Sequence, residues 1–457
     1  MKCLLFKLTL SFLLFSCADE EESTTPEPVN NTYAASGRVT DNMGKVMEGV
    51  QIYYTLTDWV LTDSLGYWSI NDLLDEHTIT ANFSNYTFTP SKISVKDSVK
   101  NLVFIGTRTN IDVEKEVFNW FDNQQLANGL CESAENGNFV SLYDNALAAM
   151  VFMLKDDFTK AEKIFDFFDG QIAAELTHGV GGFAQFRDAN GTPNNHRWMG
   201  DNAWLLIALN NYKSRTGKNT YDQLAAALSH WLISLQDTDG GIFAGYDAGG
   251  DLIDNKVTEG MIDAFNAIDG YTDFHVELLN YLELDRWDPV DKNLMAWPTN
   301  PRYIFAMDVH PWSYLIFEDY PVSALTSADR YITTQTAANG VQITGYCFDE
   351  DKDAVWLEGT GQMAVAFAIA GMEQEKDRFL GEMEKVMMLS TTHPNSAGFP
   401  YASNRGTHYG AERLWEGADT DIAISGGAWY LFAKYDFNPF AIGRDKMIPS
   451  EHKFWLN

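Results

Sequence analysis

The chain has 457 residues, with 32 Lys+Arg against 64 Asp+Glu and a formal charge of −32. Apolar residues make up 45% and charged residues 21%, so a large core can form and global disorder is excluded. The acidic balance repels phosphate backbones and argues against a nucleic-acid partner. It also disfavours an anionic polysaccharide unless a local basic patch offsets it, and four cysteines are too few for a disulfide-built scaffold.

Residues 1–17, MKCLLFKLTLSFLLFSC, combine Lys2 and Lys7 with an apolar run that ends at Ser16 and Cys17. The run is too short for a span of ~20 residues and reads as a secretory signal. Leu14-Phe15-Ser16-Cys17 resembles a bacterial lipobox, which implies lipidation of Cys17 and an outer-membrane lipoprotein; an ordinary signal peptide is the competing reading. Ala18-Asp19-Glu20-Glu21-Glu22 resembles the acidic export tag of surface lipoproteins, or serves as a solvated tether. Residues 18–32 are polar and Pro-bearing, as a flexible linker should be. Export permits a bridge between Cys131 and Cys347, but sequence does not show that they meet.

Residues 33–107 alternate in short runs such as SGRVTD, GVQIYYTL, YWSI and HTITANF, with turns at Asp41–Gly44 and Asp63–Gly66. Regular short strands predict a small all-β sandwich. The pattern Gly37-x-Val39-x-Asp41-x-x-Gly44, Gly49-Val50-x-Ile52 and Thr62-Asp63-Ser64-x-Gly66-x-Trp68-x-Ile70 resembles the carboxypeptidase-regulatory-like domain. That resemblance implies a spacer without chemistry of its own. Tyr54 or Trp59 is either a glycan-binding ring or an edge-packing one.

From residue 112 the apolar period switches from 2 to 3.6, in twelve helical segments. Alternate segments (ALAAMVFM, AWLLIAL, MIDAFNAI, GQMAVAFAIAG) are apolar nearly all round, as helices buried on both sides must be. Those between them, such as KAEKIFDFF and EKDRFLGEMEKV, carry charge on one face. Six buried helices wrapped by six half-exposed ones predict an (α/α)6 toroid over 112–443, with a tail at 444–457. An open solenoid of helical hairpins is the alternative. The ninth segment, SALTSADRYITTQTAA, is read as a single helix.

In such a ring the N-terminal ends of the inner helices surround one mouth, and short polar motifs stand at each. They are Tyr143-Asp144-Asn145, Trp198-Met199-Gly200-Asp201-Asn202, Thr258-Glu259-Gly260, and Asp308-Val309-His310-Pro311-Trp312. The last two are Trp356-Leu357-Glu358-Gly359-Thr360-Gly361-Gln362 and Trp415-Glu416-Gly417-Ala418-Asp419-Thr420-Asp421. Every inner helix therefore brings a carboxyl to one end, usually beside an aromatic ring. Aromatic rings stack on sugar faces, Asp and Asn bind hydroxyls, and opposed carboxyls supply acid and base.

Ring plan and acidic motifs together resemble the six-hairpin glycosidase superfamily, which implies an inverting hydrolase acting on a neutral glycan. The same superfamily holds lyases and epimerases, and a non-catalytic glycan binder is a third reading. Glu259 or Glu358 is expected as general acid, with Asp201 or Asp144 as base; burial beside Trp and repulsion between carboxylates raise an acid's pKa. Tyr143, Trp198, Asn202, His310, Trp312, Trp356, Gln362, Trp415, Asp419 and Asp421 are expected to bind substrate. Asp144 also fits a capping box with Ser141, and His310 a satisfied core histidine. Arg187, His196 and Arg197 form either a cleft wall or salt bridges, and Tyr409 either the opposite wall or loop packing.

Asp349-x-Asp351-x-Asp353 opens like a calcium loop, but Ala354 and Thr360 break the EF-hand pattern. No zinc spacing, phosphate loop or serine-nucleophile elbow occurs. The expectation is no metal, no cofactor, a carbohydrate partner and a monomer.

Overall fold

Alternation along Tyr33–Asp41 turns Ala35, Gly37, Val39 and Asp41 inward and the residues between them outward. The computed structural model describes residues 32–456 except 43, 110, 136, 194–195, 300–303 and 406–419. Two units divide the chain, Met1–Ile111 and Asp112–Asn457. The first contains β1 (Tyr33–Asp41), β2 (Gln51–Tyr53), β3 (Trp59–Leu61), β4 (Tyr67–Leu73), β5 (His77–Asn82), β6 (Tyr86–Thr89), β7 (Ile93–Val95) and β8 (Val99–Arg108). They form two four-stranded sheets, ordered β4-β1-β8-β6 and β3-β2-β5-β7. The β1–β8 pair is parallel, and every other pair in these sheets is antiparallel. Val39, Ile52, Trp68, Ile79 and Phe104 fill the core, while Trp59 on edge strand β3 is 42% exposed.

The second unit carries α1 (Val113–Gln124), α2 (Leu142–Leu154), α3 (Phe158–Asp169), α4 (Met199–Thr216), α5 (Asp222–Ser234), α6 (Thr258–Ala267) and α7 (Asp273–Asp285). It continues with α8 (Val309–Ile316), α9 (Ser323–Ser327), α10 (Leu357–Ile369), α11 (Glu373–Glu384), α12 (Ile424–Lys434) and α13 (Ala441–Arg444). The even-numbered helices α2 to α12 pack each against the next, and α12 returns to α2, closing a ring. α3, α5, α7, α9 and α11 back the inner helices they follow, and α1 sits behind α12 and α2. Closure decides against an open solenoid.

The ninth segment departs from expectation. Helix α9 stops at Ser327, a 3-10 turn spans Ala328–Tyr331, and Ile332–Thr336 pairs with Gln342–Tyr346 as a hairpin. Ile332, Thr333, Thr334 and Thr336 are β-branched, and such side chains favour a pleated strand over a helix. The tail folds back on this unit: Phe454 and Trp455 are buried, and Lys453 pairs with Glu318 and Asp319 at 2.9 and 2.8 Å. Cys131 and Cys347 are both buried and free.

Aromatic side chains fill the ring's centre. Trp204 of α4, Trp312 of α8 and Trp429 of α12 lie with centroids 5.4, 5.9 and 6.4 Å apart. Phe440, just before α13, packs on Trp204 and Trp312 at 4.9 and 5.7 Å. Among the described residues these rings pack together as a plug within the ring.

Candidate active site

Carboxyls open the inner helices because a helix's first turn favours negative charge, and here the ring brings those first turns to one rim. Gly200 and Gly260 let α4 and α6 approach closely there. A Cβ on Gly260 would lie 2.9 Å from the Met199 methyl and 3.3 Å from the Gly200 nitrogen, so a side chain would push the two helix starts apart. Gly245, at φ +135°, lies so near the Arg197 carbonyl that a Cβ would fall 1.9 Å from its oxygen, and this contact seats the strand Arg197–Trp198 that leads into α4.

Five inner helices deliver six interacting carboxyls: Asp144, Asp201, Glu259, Asp263, Asp308 and Glu358. All but Glu259 are buried, and Glu259 stays partly exposed. Burial, with repulsion from Asp308, Asp201 and Glu358, pushes Glu259 well above the usual carboxylate range. Asp263, one turn deeper and 0% exposed, is driven well up by burial and then by Glu259 and Asp308. Burial likewise raises Asp144 well above normal, with Glu358 and Asp201 adding to it and the Ser133 hydroxyl opposing it.

At the remaining three, hydrogen-bond donors oppose the effect of burial. Asp201 rises to about 7 by burial, held back by Gln185 (Nε2 to Oδ2, 3.2 Å) and by backbone N–H groups. Asp308 also rises to about 7 by burial, and its Oδ1 accepts from the Val309 N–H at 2.8 Å. Glu358 reaches about 7, again through burial. The Tyr143 hydroxyl donates to its Oε1 at 2.6 Å and the Gln362 amide at 3.2 Å, while Trp429 Nε1–H donates to the Tyr143 oxygen at 2.9 Å.

The sequence-predicted residues divide accordingly. Asp144, Asp201, Glu259 and Glu358 meet at one rim. Ser141 Oγ caps the Asp144 N–H at 3.3 Å, but neither Asp144 oxygen has a partner at hydrogen-bond geometry, so the reciprocal half of a capping box is missing. Tyr143 and Gln362 orient Glu358. Trp198, at the N-cap of α4, is partly exposed, and its ring lies 5.8 Å from that of His196. Trp356 caps α10 and is buried edge-on against Phe348 at 5.5 Å. Asp421 is partly exposed just ahead of α12, and its carbonyl accepts from the Tyr401 N–H at 3.2 Å.

Three expected substrate binders are otherwise engaged. Asn202 bonds the Phe183 N–H (2.9 Å), the Phe183 carbonyl (3.1 Å) and the Trp198 carbonyl (2.9 Å), which locks the loop ahead of α4. His310 is fully buried with Nδ1 2.9 Å from the Ala324 carbonyl, and burial lowers its pKa to about 4. Trp312 belongs to the central plug. Cys17, Tyr409, Trp415, Glu416 and Asp419 lie outside the described residues. Arg187 forms a buried pair with Glu175, at 3.0 and 3.3 Å, and is no cleft wall. The loop of Asp349, Asp351 and Cys347 gathers three potential ligand atoms within 4.8 Å of one another.

Sequence reasoning passed over Asp263 and left Asp308 without a role. The signal for the first was the i,i+4 spacing of Glu259 and Asp263 in an otherwise apolar helix, which puts both on one face. Trp204 and Trp429 carried no polar cue.

No protein-family model matches the chain, and no curated protein sequence matches it. Solved structures do. One is a glycosidase variant with TM-score 0.55 and 12% identity, covering 72% of this chain and 96% of that one. Another is a glycosidase variant in complex with glucose, with TM-score 0.51, 13% identity and coverage of 72% and 96%. A third is an alpha-amylase from Clostridium perfringens, with TM-score 0.51, 9% identity and coverage of 71% and 97%. At such identities the likeness shows the fold, a helical toroid.

Proposed function

We propose that the helical unit is a carbohydrate-active enzyme, a glycoside hydrolase that cleaves a neutral oligo- or polysaccharide at the carboxyl-lined rim. The observation that carries this reading is the convergence of six carboxyls from five helices, with acidities spread by their surroundings. Glu259 combines partial exposure with a strongly raised pKa, so it enters the reaction protonated and acts as general acid on the leaving oxygen. Asp201, served by Gln185 and backbone donors, is the base that activates water. An inverting outcome then needs the two carboxyls ~6.5–9.5 Å apart. The fold likeness to glycosidases, one of them with glucose bound, supports this class.

A lyase or epimerase would need a cationic subsite and a Tyr or His as base, and Tyr143 is the tyrosine bonded to a rim carboxyl. Burial first, and then its bond to Glu358, raise the Tyr143 pKa well above normal, which disfavours that role. A neutral glycan panel tests the reading. The unmodified protein should cleave at least one member, Glu259→Gln should bind it without cleaving, and polarimetry should show the inverted anomer. Binding without turnover by the unmodified chain would leave a glycan-binding protein.

Export and anchoring complete the proposal: Cys17 carries lipid in the outer membrane, the acidic stretch after it directs surface display, and the β unit is a spacer. Palmitate labelling of the intact chain should be lost in Cys17→Ser; equal labelling of both would overturn the anchor.

A further inference from the structure

Away from the rim, a cavity of ≈ 1000 Å³ opens among the C-terminal half of α4, the end of α6, α5, α13 and the residues after it. Asp201 and Lys213 are twelve positions apart on α4, which at ~1.5 Å per residue separates the rim from this cavity by ~18 Å along the drum. The two sites are therefore distinct.

Three lysines line the cavity in a chain of net charge −32. Lys213 is paired with Asp222 at 2.8 Å, and Lys218 with Glu162 at 2.7 Å. Lys446 is different. It is 6% exposed, its Nζ donates to the Ile268 carbonyl, and it has no ion pair among the described residues. One ammonium offers three donors; one goes to that carbonyl, and Nζ also lies 5.7 Å from the Phe265 ring centroid. The charged groups around it are Asp222, Asp269 and Asp445 in the lining, the paired Lys213 and Lys218, and His275 behind it. Burial pulls the Lys446 pKa down to about 8, with Asp269 only partly opposing. Tyr221 and Tyr271 also line the space.

We infer that this cavity binds an anionic sugar, with Lys446 on the carboxylate or phosphate, the lining aspartates accepting hydroxyls, and a tyrosine face under the ring. A buried ammonium without an ion-pair partner is costly, Asp269 offsets only part of that cost, and an anion at Nζ would offset more where a neutral sugar would not. The chain's overall charge acts weakly at this range, because exposed charges beyond ~8 Å are screened at physiological ionic strength.

Calorimetric titration of the full chain with glucuronic acid, glucose 6-phosphate and glucose tests this. One or both anions should bind, separating the uronate from the phosphate source, with glucose at least ~10-fold weaker. Lys446→Met should lower anion affinity at least ~10-fold, with a thermal midpoint that is not lowered. Glu358→Gln should leave anion binding intact. The inference fails if neither anion binds, if glucose binds equally, if Lys446→Met binds as before, or if Glu358→Gln alone abolishes binding. None of these readouts uses turnover, so they separate this site from the rim's proposed chemistry.

Discussion

The rim and the plug are successive levels of the same six helices, built from opposite materials. On α4 Trp204 comes three positions after Asp201, and on α8 Trp312 comes four positions after the N-cap Asp308. At the rim, desolvated carboxyls repel one another; at an effective dielectric of ~20 two charges 4 Å apart cost ~4 kcal/mol, against ~1 in bulk water. At the plug, Trp204, Trp312, Trp429 and Phe440 exclude water from the level beneath. The difference shows how a fold raises carboxyl pKa values: burial above an apolar floor disfavours the charged form.

The sharpest way to break that contrast is Glu259→Gln, which preserves shape and removes the acid. It should lower kcat by ~10²–10⁴, with the melting temperature not lowered. Steady-state kinetics on a cleaved glycan checks this, and full activity would remove Glu259 from the chemistry. Next comes Trp312→Ala. As part of the plug it should cost ~3–5 kcal/mol of stability in urea unfolding; a raised KM at unchanged stability would instead place Trp312 at the substrate.

A smaller effect sharpens the boundary between the two levels. Asp263, Asp201, Asp308 and Glu358 all have folded pKa values raised above their unfolded ones, so the folded chain holds more protons. Their stability contribution is full below pH ~4 and is lost as pH rises toward the folded values, about 7 for the last three. Asp263→Asn removes one such loss. It should stabilise the unit by ~1–2 kcal/mol at pH 8 and hardly at all at pH 4, measured as thermal midpoints at both values.

The ring was legible because burial on all sides leaves a compositional trace: ALAAMVFM and GQMAVAFAIAG contain almost nothing polar. The rim was legible in part, since a carboxyl at an apolar helix start stands out. What distinguishes Asp201 from Asn202 was not visible, because adjacent residues on a helix point ~100° apart and only the ring says which direction is inward. The repeat of Asp-Asn at 144–145 and 201–202 did hold a clue. Asn145 bonds the backbone of Cys131 and Ser141 as Asn202 bonds that of Phe183 and Trp198, so in each pair the Asp faces the rim and the Asn ties down the incoming loop. The ninth segment misled because its first half is helical and its Thr-rich second half supplies a hairpin.

Closure of the drum sets an order of events. Tyr143, near the start of the unit, is fixed by Glu358 from the fifth inner helix and Trp429 from the sixth. During synthesis the early helices wait for the last one before the acids have their final neighbours, and long-range contacts of this kind slow folding. A nascent chain halted ahead of α12 holds all six rim acids but lacks Trp429, so the rim's final geometry arrives with the last staves of the barrel.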